Sequence, residues 1–197
     1  IVMMIFTSIY GVVDGLFVSN FAGKTAFAAI NLIMPILMGL SALGFMIGTG
    51  GSAIVAKTLG EGKEEKANEY FSMLVYVTAI GGVAVSLLGM ILIRPAAVML
   101  GAAGELLSDC VLYGRITFIS FTAFMLQNVF QSFFVTAQKP KLGLKVIIVA
   151  GVTNMVLDYL FMGRLGFGIA GAAVATVCGE FIGGLFPIFY FARKNSS

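Results

Sequence analysis

The chain has 197 residues, of which 59% are apolar and 11% charged, and its mean hydropathy is +1.04. Soluble domains average about 25% charged residues, so this chain lacks the polar surface to cover a water-exposed globule. Two cysteines and no histidine exclude a disulfide framework and leave no His/Cys spacing for a metal; the net charge of +3 comes without an aromatic-basic patch or phosphate loop, so no nucleic-acid partner is expected.

A helix needs roughly 20 apolar residues to cross a bilayer, and that length recurs six times. The pattern predicts an all-α, polytopic membrane protein: one six-helix bundle with spans at 1–20, 25–56, 69–93, 105–138, 142–162 and 168–192. Because Ile1 already lies inside an apolar run, a fragment lacking its natural N-terminus is expected. Span one carries Asp14, with Tyr10 one turn earlier and placed to donate to it. Span two contains Pro35, which predicts a kink; at roughly 48 Å it must tilt or protrude. A charged loop follows at 57–68. Span three is predicted to stop at Arg94-Pro95, leaving a short amphiphilic piece, 96–104, at the interface.

Span four holds Arg115, Gln127, Asn128 and Gln131. Gln127 and Gln131 share a face, which fits either the wall of a wet cavity or helix-to-helix hydrogen bonding. Span five carries Asn154 and Asp158 one turn apart. Span six carries Thr176, then Glu180 on the same face one turn deeper. Lys57, Lys63, Lys66, Lys139, Lys141, Lys145, Arg193 and Lys194 fall on one side of the bundle, against Lys24, Arg94 and Arg164 on the other. Basic loops stay inside, so a multi-pass protein of the cell membrane with both termini cytoplasmic is expected.

Aspartate at a helix centre costs about 2.5–3.5 kcal/mol for insertion, a penalty that packing does not require. Asp14, Asn154, Asp158 and Thr176 are predicted to share one layer in the outer half of the bundle, as an ion pathway. For Asn154 and Asp158 the plainer reading is an interhelical hydrogen bond, worth about 0.6–2 kcal/mol. Glu180 either snorkels, pairs with Arg115, or faces a cavity. A weak internal repeat accompanies the acids: D-x-L-F begins at both Asp14 and Asp158.

The run from Tyr10 to Asn20 (YGVVDGLFVSN), followed by AAINLIMP ending at Pro35, resembles the opening of multidrug and toxic compound extrusion (MATE) transporters. GGSAIVAKTLGEGK from Gly50, NMVLDYLF from Asn154 and GAAVAT from Gly171 resemble later segments of that family, in order and at matching spacing. The resemblance implies one six-helix lobe of a twelve-helix antiporter, exporting cationic amphipathic compounds in exchange for protons or sodium ions. It implies no enzyme activity and no cofactor beyond H+ or Na+. It places the ion-coupling residues at Asp14, Asn154, Asp158 and Thr176, and a cavity tyrosine at Tyr10. Gln127, Asn128, Gln131 and Glu180 are the weaker cavity candidates. Membrane lipids, small organic cations and a second six-helix lobe are the partners implied. One alternative is a flippase for lipid-linked oligosaccharide or peptidoglycan precursor, which should present several basic residues to its groove, where only Arg115 is available. The other is an intramembrane aspartyl protease, whose glycine-flanked aspartate is missing.

Overall fold

The computed structural model describes residues 11–193. In hydrocarbon the backbone of an apolar run must bond to itself, and among the described residues six helices follow in chain order. They are α1 (Gly11–Ala22 within the described residues), α2 (Lys24–Gly60), α3 (Glu64–Met99), α4 (Gly104–Thr136), α5 (Pro140–Asp158) and α6 (Gly168–Ala192). No strand occurs among the described residues. α2, α3, α4, α6 and the extended α5 are each long and apolar enough to cross a membrane, and α1 is a shorter apolar helix over its described part. The protein is a multi-pass, all-α membrane protein.

Two connections differ from the sequence reading. The helix predicted to stop at Arg94-Pro95 runs on to Met99, so the first part of the expected interfacial piece, 96–99, belongs to α3. Proline removes one N–H, but a single lost bond does not end a helix of 36 residues. The turn instead falls at Gly101, whose φ of 91° is open to glycine. At the other end of α3 the charged loop shrinks to 61–63. Lys57 occupies the last turn of α2, and Glu64 and Glu65 the first turn of α3. Each charge there complements the dipole of its helix end, so residues that look like loop extend the helices.

The two D-x-L-F segments behave alike. α1 widens into a π-helical stretch at Val18–Ala22, and α5 continues as a π-helical stretch at Tyr159–Arg164. Both stretches lie at the end of the bundle opposite the lysine-rich loops and within a few residues of an acid, a setting where π segments often mark function.

α4 is the hub. In its most apolar stretch 61% of residues are buried, against 28% in α2 and α3. Without a hydrophobic drive between helices in lipid, close backbone approach has to supply the packing, and each neighbour presents glycine to α4. A Cβ on Gly48 of α2 would stand 3.0 Å from Val129 Cα, one on Gly89 of α3 2.2 Å from the Phe118 ring, and one on Gly184 of α6 2.3 Å from Ala123 O. At the lysine-rich end, rings from α3, α4 and α6 close the bundle. Phe71 meets Phe133 edge-on at 4.8 Å and Phe191 at 5.1 Å.

Candidate functional site

Asp14, Asn154 and Asp158 are carried into the interior by α1 and α5. They are 9%, 1% and 0% exposed respectively. The Asp14 and Asp158 carboxyl groups face each other within hydrogen-bonding reach. Asn154 is one turn along α5 from Asp158, where the bare Gly179 of α6 admits it: a Cβ at 179 would lie 3.2 Å from Asn154 Cβ and 3.1 Å from Ala150 O. α5 and α6 are antiparallel, so that register sets Asp158 level with Ala175 and Thr176. Thr176 Oγ1 donates to Ala172 O at 3.0 Å, which uses its proton within α6 and leaves its lone pairs free. The structure thus brings three of the four predicted ion-site residues into one buried cluster and sets Thr176 at its edge.

The polar atoms of this cluster lack protein partners. Asp14 Oδ1, both Asp158 oxygens and both Asn154 polar atoms are buried without a hydrogen bond. Each such group costs about 1–3 kcal/mol, and two facing carboxylates add mutual repulsion. That geometry holds a cation readily: four of the five atoms are oxygens, the ligand type hard cations take, and a proton shared between the carboxyls would serve equally. The interhelical hydrogen bond that the plainer reading gives Asn154 does not form.

Asp14 also borders a cleft of about 410 Å³ between α1 and α2, lined among others by Leu16, Phe27, Asn31 and Met34. Through Asp14 the buried carboxylate pair therefore borders an open face of the bundle. A second cavity of about 410 Å³ sits at the lysine-rich end beneath Phe71, Phe133 and Phe191.

The remaining candidates lie apart from one another. Tyr10 is outside the described residues. Gln127 is half-buried over the notch at Gly183, where a Cβ would be 2.2 Å from its Oε1. Asn128 is 2% exposed, with its backbone carbonyl 3.2 Å from where a Cβ at Gly48 of α2 would stand and its side-chain Nδ2 unpartnered. Gln131 is half-buried. Gln127, Asn128 and Gln131 line neither cavity. Glu180 is half-buried and accepts a hydrogen bond from Ser120 Oγ of α4. Arg115, its expected ion-pair partner, is exposed on another face of α4, so the predicted pairing gives way to a neutral donor.

Sequence reasoning passed over Tyr113, Thr117 and Ser120. All are buried on one face of α4, and the Tyr113 hydroxyl stands within reach of Thr176 and Thr117 and in the field of Asp14. The available signal was their 4-then-3 spacing, which keeps one helical face.

A MatE family model matches residues 1–160. Among curated relatives, the multidrug export protein MepA of Staphylococcus haemolyticus is 29% identical over 189 residues, covering 96% of this chain and 42% of that protein. The fold also matches solved structures of a MATE transporter at 26% identity. For its straight conformation the TM-score is 0.91, covering 99% of this chain and 43% of that one; for its bent conformation the TM-score is 0.90, covering 97% and 42%. The chain spans about 42% of the length of the curated relatives it matches.

Proposed function

The chain belongs to the MatE family, and from that premise we propose that it is one lobe of a secondary antiporter exporting cationic amphipathic compounds in exchange for protons or sodium ions. Asp14, Asn154, Asp158 and Thr176 form the coupling site. The observation that carries this reading is the facing carboxylate pair, buried with three of its four oxygens unpartnered.

A cation or proton entering between the two carboxyls removes their repulsion and favours a repacked α1. A ligand shifts a conformational equilibrium only through such differential binding. α1 is suited to move, since its π-helical end joins α2 through the single residue Gly23, at φ 95°. Because Asp14 lines the α1–α2 cleft, repacking changes the face offered to substrate and to a second six-helix lobe. The two lobes then rock about a central site, as in other repeat-built transporters. Membrane lipid surrounds the outer faces, and the lysine-rich loops face the cytoplasm.

The test is Asp14→Asn in the full-length transporter. Asparagine keeps the shape and removes the titratable charge, and it is cheaper than ionised aspartate in lipid. Membrane expression and thermal stability are expected to hold, while ethidium efflux driven by an imposed proton or sodium gradient drops to near background. Wild-type efflux from well-expressed Asp14→Asn would overturn the coupling role.

A further inference from the structure

One acid in the interior takes no part in that scheme. Glu180 lies on α6 one turn from Thr176 toward the lysine-rich end, and its carboxylate has a single neutral donor, Ser120 Oγ. Among the described residues the one ion pair is Lys63–Glu61, exposed in a loop, so no lysine or arginine neutralises Glu180. α4 and α6 run in the same direction through the bundle, so Tyr113, Thr117 and Ser120 follow one another along the seam beside Thr176 and Glu180. The Tyr113 hydroxyl is within reach of both Thr176 and Thr117 and feels the charges of both Asp14 and Glu180. Thr117 is 3% exposed and its Oγ1 has no hydrogen-bond partner. Packing does not call for that hydroxyl, because valine fills the same volume without an orphaned polar atom.

We propose that Glu180, held by Ser120 in the α4–α6 seam, is a second proton-carrying station of the lobe, connected to Asp14 and Asp158 through the hydroxyls of Thr176, Tyr113 and Thr117. It rests on the reading of Asp14 and Asp158 as the coupling pair. Each hydroxyl accepts a proton on a lone pair and passes its own to the next, Thr176 turning its proton away from Ala172 O and Ser120, which already donates to Glu180, delivering the last one. A proton leaving an aspartic carboxyl thus arrives on the Glu180 carboxylate with every hydroxyl restored, and no oxidant or co-reactant enters. The titratable groups about Glu180 are Tyr113 on α4, Cys178 on α6 itself and, beyond Tyr113, Asp14 on α1 and Asp158 on α5. The charged residues of α2 and α3 lie only near their helix ends. The consequence is a proton route inside one lobe, leading from the carboxylate pair toward the lysine-rich end.

The experiment is an infrared pH titration of the full-length transporter in lipid nanodiscs, following the C=O stretch that a protonated carboxyl has and a carboxylate lacks. Glu180→Gln is expected to lose one component of that band, which Asp14→Asn and Asp158→Asn retain, and Glu180→Asp to restore a component at a shifted frequency. Tyr113→Phe and Asp14→Asn are each expected to move the pH at which the Glu180 component disappears. Should Glu180→Gln fail to fold, Ser120→Ala keeps the acid, and its expected signature is a shifted Glu180 band. A spectrum of Glu180→Gln identical to wild type throughout the titration would overturn the proposal. So would a Glu180 midpoint indifferent to both Tyr113→Phe and Asp14→Asn, or a band unmoved by Ser120→Ala. Wild-type efflux by Asp14→Asn would instead remove the coupling role of the aspartates and leave the Glu180 band as observed, so the two failures are separable.

Discussion

Asn154 separates structure from function at the level of a single side chain. It is 1% exposed, yet neither its amide nitrogen nor its oxygen has a partner within the protein. A residue retained for an interhelical hydrogen bond would be costly to remove; this one breaks no such bond when it goes. Asn154→Ala is therefore expected to change thermal stability without coupling ion by no more than about 1 kcal/mol, since the two orphaned polar atoms offset the small void they leave. In a gradient-driven efflux assay the same variant is expected to lose most coupled transport. Thr176→Ala removes one neutral oxygen at the edge of the cluster, so a loss of at most about 10-fold in apparent ion affinity is expected, read as a rightward shift in the ion dependence of efflux. The aspartates were legible in the sequence because charge inside an apolar run is expensive wherever it points. Tyr113, Thr117 and Ser120 were not, because hydroxyls are cheap in membrane helices and gain meaning only from what faces them across the α4–α6 seam.

Among the helices, contact is made where side chains are missing. A methyl on Gly184 would meet the backbone carbonyl of Ala123, which cannot swing aside. Gly184→Ala is expected to push α6 off α4 and cost about 1–3 kcal/mol, the usual range for overpacking. Gly50→Ala on α2 has open space at its Cβ and is expected to be neutral or to stabilise by up to about 1 kcal/mol, because alanine holds a helix better than glycine. Thermal melts of the two variants, with opposite signs, check the packing. Span number and order were readable from apolar length alone. Helix ends were misplaced where charge looked like loop, at 57–68, and where proline looked like a stop, at Pro95. At 57–68 the helices extend because the charges suit their dipoles, and at Pro95 α3 continues because its neighbouring turns outweigh one lost hydrogen bond.

For the molecule as a whole, the open question is which outer face meets lipid and which meets protein. The exposed side of α3 is a run of large apolar side chains, including Ile80 and Ile91 at 71% and 70% exposure. α2 exposes apolar side chains such as Met38 and Met46 as well, but among them stand Asn31 and Thr49, whose side chains bond back to their own helix, and its N-terminal part borders the cleft next to Asp14. Polar groups facing lipid tails would be unfavourable, so this face is expected to line a wet space against the second lobe. In a full-length transporter with Cys110 and Cys178 replaced, a water-soluble maleimide is expected to label cysteine at positions 31 and 49 and to leave position 91 untouched. Equal labelling at all three would refute that arrangement. The lobe alone is expected to insert but not to export, measured as ethidium efflux from reconstituted vesicles. That the first two spans face a second lobe is an expectation of the family resemblance; apolar periodicity by itself does not distinguish a lipid neighbour from a protein one.

The two π-helical stretches carry a consequence for how the gene can change in length. A π turn closes between residues five apart where an α turn closes between residues four apart, so each stretch holds a residue that an ordinary helix would not need. Losing one residue elsewhere in a helix turns everything beyond it by about 100° and scrambles the buried face. Removing exposed Asn20 or exposed Leu160 lets the local turn tighten instead, and the acids beside it keep their orientation. Both deletions are expected to retain membrane expression and melting temperature, whereas deleting Ile80, exposed in the middle of α-helical α3, is expected to lower both.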